Sequence, residues 1–219
     1  MTDFAQARRN MVDGQLRPNR VTNAALLAAM GELPRERFLP DKLRPVAYAD
    51  DDVPLGNGRV MIEPMVLARL IQALQPRPDG RALVVASGRG YGTALLARMV
   101  QSVVAIECDS ALASAAEQTI KSLGISNVTQ VVGQLEAGAP SKGPFDLVLI
   151  EGAVRQIAQA ILDQLAEGGR LATIIAGATG AIGVAQLVVK EGGVTSGRPL
   201  FEAGTPALPG FAPPSRFTF

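Results

Sequence analysis

The chain contains no histidine and a single cysteine, Cys108, in 219 residues. Without imidazole there can be no Ser-His-Asp triad, no Cys-His pair and no His-ligated metal. One cysteine permits neither an internal disulfide nor a cysteine-rich zinc site. Any chemistry must therefore act on a group that is already reactive, as in methyl, acyl or hydride transfer, and no metal is expected. Charge is also sparse: charged residues make up 19% with a net +1. No basic block stands out, so nucleic acid is not an expected partner. No run reaches the roughly 18–20 apolar residues of a membrane span, and Met1–Met11 has no apolar core of the signal-peptide kind. A cytoplasmic protein with no membrane partner is expected.

What is present is apolar and regularly spaced. Hydrophobic residues reach 47%, enough for a sizeable core, and the length suits one core domain with an appendage. The organising stretch is Arg81 to Met99. There, Ala82-Leu83-Val84-Val85 runs into Ser87-Gly88-Arg89-Gly90-Tyr91-Gly92 and then into an Ala/Leu-rich helical pattern. Strand, glycine turn and helix start together make a nucleotide pocket: glycine lets the backbone approach the ligand, and the helix start offers free N–H groups.

Before this stretch the pattern is helical. A short helix is expected over Asp3–Leu16 with Phe4, Ala7 and Met11 on one face, stopped by Pro18. Thr22 or Asn23 caps a second through Leu26, Leu27, Met30 and Leu33. One-turn helices are expected at Pro34–Phe38 and Asp41–Ala49. Asp50–Met65 reads as a loop with extended pieces, and Pro64 starts a helix to Leu74. After the glycine turn, strands and helices alternate. Strands are expected at Val103–Ile106 (ending in Glu107), Val128–Val132, Phe145–Ile150 and Leu171–Ile175. Helices are expected at Leu112–Leu123, capped by Ser110 and closed by Gly124, and at Ile157–Leu165, closed by Gly168-Gly169. This alternation implies a parallel sheet with right-handed crossovers. Val184–Lys190 and Val194–Ala203, joined by Gly192-Gly193, read as a hairpin. Leu208–Phe219 is expected on the surface.

Gly88, Gly90 and the acid Glu107 at the end of the second strand fit a cofactor carrying an adenine-linked ribose, whose hydroxyls a carboxylate accepts. NAD and S-adenosylmethionine share this geometry. The long helical lead-in and the final hairpin favour S-adenosylmethionine.

Longer matches point to a family. Met11–Leu16, Met30–Pro40, Ala47–Asp50, Pro54-Leu55-Gly56 and Pro64 in the lead-in, Gly90-Tyr91 with Ala94–Ala97, Pro144-Phe145-Asp146 and Gln164–Leu171 resemble the protein-L-isoaspartate O-methyltransferases. The resemblance implies a Rossmann-like, S-adenosylmethionine-dependent methyltransferase fold of the α/β class, with a parallel sheet ending in an antiparallel hairpin. Residues 1–78 would form a helical lead-in and substrate-side loop, and residues 79–219 the core sheet. It also implies methylation of a carboxylate on damaged protein or peptide. A carboxylate has a pKa near ~4 and needs no general base, which agrees with the missing histidine. The cofactor residues it implies are Ser87, Gly88, Gly90, Tyr91, Glu107, Gln134, Leu135 and Glu151.

Several positions depart from the family pattern. Its acid before the turn is Val84, its first glycine is Ala86, and the polar residue before Gly90-Tyr91 is Arg89, which could grip the cofactor's carboxylate or lie exposed. Its Gly-Asp-Gly after the third strand is Gly133-Gln134-Leu135. Its substrate-side serine in a Thr-Ile-Ser-Gln-Pro segment is Ile62, followed by Glu63, so no catalytic residue is assigned. Glu151 could replace the missing acid. Two other readings stay open: a family member that keeps the fold as a binding or interaction protein, and an NAD-dependent oxidoreductase resting only on the glycine turn and Glu107.

Overall fold

The computed structural model describes residues 3–178, 181–209 and 211. The lead-in begins with α1 (Phe4–Met11), capped by the Asp3 carboxylate accepting from the Gln6 N–H, and continues through one π-helical stretch, Val12–Leu16. Asn23, not Thr22, caps α2 (Ala24–Glu32), its side-chain oxygen accepting from Leu26 N–H at 3.0 Å. Short 3₁₀ turns follow at Arg35–Phe38 and Asp41–Val46. The segment expected to be a loop with extended pieces contains a small antiparallel hairpin, β1 (Val53–Gly56) and β2 (Arg59–Met61). Helix α3 (Pro64–Leu74) starts at its proline, where the missing N–H costs nothing.

The sheet then forms from β3 (Arg81–Val85), β4 (Ser102–Glu107), β5 (Val128–Val132), β6 (Phe145–Val154), β7 (Leu165–Ile175), β8 (Gly183–Glu191) and β9 (Val194–Ala203). Helices α4 (Tyr91–Ala97), α5 (Ser110–Ser122) and α6 (Gln159–Leu162) lie between them. The strand order is β5-β4-β3-β6-β7-β8-β9. The first five pair in parallel, and β8 and β9 add antiparallel strands across the Gly192-Gly193 turn. Alternate residues of β3 bury on opposite faces. Ala82 and Val84 pack with the lead-in, while Leu83 and Val85 pack with Val148, Ile150 and Ile161. Burial on both faces is what a continuous apolar run in a parallel sheet requires.

Four local expectations are corrected. Asp109, not Ser110, caps α5, because its carboxylate reaches the Ala111 and Leu112 N–H groups. The helix expected at Ile157–Leu165 is one turn, Gln159–Leu162. Leu165 already belongs to β7, which carries Gly168-Gly169 within it. Strand β6 runs four residues past Ile150. The expected surface segment buries Leu208 and Phe211 against the sheet, and Leu208 N–H donates to the Ala153 carbonyl at 2.7 Å. Residues 210 and 212–219 of that segment lie outside the described residues.

Candidate active site

The chain passes from β3 to β4 and β5 on one side and returns to β6 and β7 on the other, so the strand order reverses between β3 and β6. Ligands of open α/β sheets bind at such a reversal, beyond the carboxyl ends of the strands. Val85 pairs with both Ile106 and Ile150. The next residue on each of the three strands is Ala86, Glu107 or Glu151, so the glycine turn leaves the sheet flanked by two carboxylates.

The turn is built from left-handed backbone: Ala86, Gly88 and Gly90 have φ of +61°, +54° and +92°. Gly90 has a second constraint, since a Cβ there would lie 3.0 Å from Ala116 and Ile120 of α5. The position of the family's first glycine thus keeps a glycine conformation while carrying a methyl group, at a cost of roughly 1–2 kcal/mol.

Glu107 is fully buried. Its Oε2 accepts from Gly88 N–H at 2.7 Å, and its Oε1 accepts from the Cys108 and Asp109 N–H groups at 2.9 and 3.1 Å. The Arg59 guanidinium, also buried, donates to Oε1 at 2.5 Å and to the Ala86 carbonyl at 2.9 Å. Arg59 is not among the residues expected at the site. Strand alternation is the signal that marks it, since it turns Arg59 and Met61 inward and leaves Val60 half-buried.

Glu151 is aimed by a bulge. Leu149 pairs with Ala172 and Ala153 with Ile174, so three residues of β6 oppose one of β7. Its carboxylate packs against Gly92, where a Cβ would stand 2.5 Å from Oε1, and Oε1 has no hydrogen-bond partner. Burial pushes the Glu151 carboxyl up to about 8, opposed by the charge of Arg59 and reinforced by Glu107. A small cavity is bounded by Ala86, Ser87, Gly88, Tyr91, Met61 and Glu151.

The expected site residues therefore divide. Ser87, Gly88, Tyr91 and Glu151 line this cleft, Gly90 belongs to the turn beneath it, and Glu107 holds that turn through the Gly88 N–H. Gln134 and Leu135 do not line the cavity: Gln134 is exposed, and Leu135 is buried in the core on the opposite face of the sheet from the lead-in. Arg89 takes neither expected role. It turns to the lead-in and donates to the Phe38 carbonyl at 2.9 Å, and burial lowers its pKa. Tyr91 also faces the lead-in, edge-on to Phe38 at 5.4 Å and beneath the Arg35 guanidinium.

In the segment expected to face the substrate, Ile62 is buried in the core and its carbonyl accepts from Arg35 at 2.7 Å. Glu63 is half-buried beside Asp50, Asp51 and Asp52, and desolvation with these charges pushes it up to about 7. Among the described residues no group of three His, Cys, Asp or Glu is placed to hold a metal, and no helix is long and apolar enough to cross a membrane.

A parallel sheet with this reversal, an antiparallel end and an acid ending its second strand defines the methyltransferase class of nucleotide-binding α/β folds. Solved structures agree on the fold. A protein-L-isoaspartate O-methyltransferase superposes with a TM-score of 0.80 at 23% identity, over 93% of this chain and 67% of that one. A putative protein-L-isoaspartate O-methyltransferase from Plasmodium falciparum, in complex with S-adenosyl-L-homocysteine, gives 0.77 at 21% identity, over 96% of this chain and 100% of that one. Among curated relatives, the protein-L-isoaspartate O-methyltransferase of Methylorubrum populi is 43% identical over 171 residues, 78% of this chain and 79% of the relative. That of Roseiflexus sp. is 37% identical over 175 residues, 80% of each. The family profile of protein-L-isoaspartate(D-aspartate) O-methyltransferase matches residues 6–200, and the chain belongs to that family.

Proposed function

We propose that the protein transfers a methyl group from S-adenosylmethionine to a carboxylate of isoaspartyl residues in proteins or peptides. The reading rests on the family match over residues 6–200. The observation that carries it is the pair of buried carboxylates flanking the glycine turn at the strand reversal. The walls fit the donor. In this reading Glu107 would accept from ribose hydroxyls once Arg59 leaves it, and the unpartnered Oε1 of Glu151 would accept from an ammonium group. Ser87 and Gly88 present backbone at the turn. When bound, the donor supplies an activated methyl group on a sulfonium.

The chain's own contribution is placement and exclusion of water. An acceptor carboxylate is already an anion at neutral pH, so no residue needs to take its proton. Holding reactants in line supplies roughly 7–11 kcal/mol of a barrier. Residues 1–78 form the acceptor side, with residues 79–219 as the donor side. Ile62 offers no side-chain hydrogen bond there, and Glu63 becomes neutral below about pH 7, when it ceases to repel an incoming carboxylate. The protein works in the cytoplasm, without nucleic acid or membrane as partner.

Calorimetric titration with S-adenosylmethionine, followed by methyl incorporation into an isoaspartyl peptide and its normal aspartyl counterpart, tests this. Binding with methylation confined to the isoaspartyl peptide is expected. Binding without transfer to that peptide would reassign the acceptor, and no binding would remove the donor.

A further inference from the structure

The cleft whose walls fit a nucleotide holds almost no free space. The remaining cavity beside Ser87 and Gly88 is about 10 Å³, at the limit for one water, whereas ligand sites of nucleotide size run to roughly 300–1,000 Å³. The space is filled from above by the β1–β2 hairpin. The Leu55 side chain lies 3.5 Å from where a Cβ of Gly88 would stand, and Val60 and Met61 line the same gap. The hairpin is fastened at two places. At its base, Asp52 Oδ1 accepts from Glu63 N–H at 2.8 Å. Over the turn, Arg59 bridges Glu107 and the Ala86 carbonyl. Its tip, Gly56-Asn57-Gly58, is left-handed throughout, and a Cβ at either glycine would meet nothing within 4 Å.

The geometry points to Arg59 as a latch and internal competitor: it holds the hairpin shut over the glycine turn by occupying Glu107, and the donor enters only when this pair parts. This rests on the proposed methyl-donor function. The physical basis is the inventory of bonds at Glu107. Three backbone N–H groups and the guanidinium already use both oxygens. Oε2 carries one N–H and Oε1 carries two with the guanidinium, and the hairpin that Arg59 fastens covers the turn beside them, so a ribose hydroxyl reaches Glu107 only when a charge-assisted bond, about twice as strong as a neutral one, parts in a dry site. Opening returns Arg59 to water, where its charge is fully solvated, while the three N–H groups still hold Glu107.

The test compares the wild type with Arg59→Gln, and with Arg59→Lys, which keeps the charge but cannot bridge two acceptors in a planar fork. Two quantities are measured: the S-adenosylmethionine dissociation constant by calorimetry, and hydrogen exchange of the 53–61 segment without ligand. Binding at least tenfold tighter in Arg59→Gln, with an intermediate value for Arg59→Lys and faster hairpin exchange in both, is the expected result. Equal affinities across the three proteins would overturn the latch and leave the donor assignment standing. If none binds the donor but the hairpin exchanges faster in the variants, the donor assignment fails and the competitor role with it, and Arg59 is left only as a fastening of the hairpin. If none binds and exchange is unchanged, both fall.

Discussion

Glu63 N–H donates to Asp52 Oδ1 at 2.8 Å, which draws two carboxylates together at the base of the hairpin. Burial and the neighbouring Asp50, Asp51 and Asp52 push Glu63 up to about 7, with Arg35 acting in the opposite direction. Glu63 is neutral below that value and anionic above it. KM for an isoaspartyl peptide should therefore rise severalfold between pH 6 and pH 8. Glu63→Gln should flatten this rise, and steady-state kinetics at the two pH values checks it. An equal rise in the variant would place the titrating group elsewhere.

Glu151 gives a second pH dependence, read in stability. Its carboxyl sits at about 8 in the fold against an ordinary 4.5, chiefly because burial disfavours the anion. The fold is favoured while Glu151 is protonated. Stability should be highest below about pH 4.5 for this contribution and should fall as pH rises through about 8. The span amounts to something on the order of 3–5 kcal/mol. Urea unfolding of Glu151→Gln at pH 5, 7 and 9 should show a clearly shallower fall than the wild type.

The glycine turn predicts opposite outcomes for two small substitutions. Ala86→Gly removes a buried methyl group but releases a left-handed alanine. Stability should be unchanged or rise by up to ~1 kcal/mol. Gly90→Ala forces a methyl group into Ala116 and Ile120 at φ of +92°, and a loss of about 2 kcal/mol or more is expected. Thermal melts of the two variants settle the signs.

Glu107→Gln should destabilise by roughly 3–5 kcal/mol, because it strands the buried Arg59 charge. Pairing it with Arg59→Met should recover most of that loss. A double-mutant cycle by urea denaturation measures the coupling, and additive losses would count against it.

Most of the fold was legible because its strands are short apolar runs between turn residues. Val128–Val132 and Val194–Ala203 have their expected bounds. The expected Ile157–Leu165 helix is longer than the one turn observed because its apolar run continues into the buried strand that starts at Leu165, and a short apolar run carries no periodicity to separate the two. Glu107 and the glycines were legible from spacing alone. Arg59 was not, because its meaning depends on a hairpin folding back 48 residues onto Glu107. Gln134 is expected at the cofactor from its match to the family's Gly-Asp-Gly position, and the structure sets it, exposed, just after the edge strand β5.

Arg89 and Tyr91 leave the glycine turn in the direction of Phe38, one by a hydrogen bond to its carbonyl and the other by ring contact. The same few residues thus belong to the glycine turn and also hold Phe38 of the lead-in. A substitution at Phe38, remote in sequence, would remove the contacts that hold Arg89 and Tyr91 and is expected to register as altered donor affinity, measured by calorimetric titration.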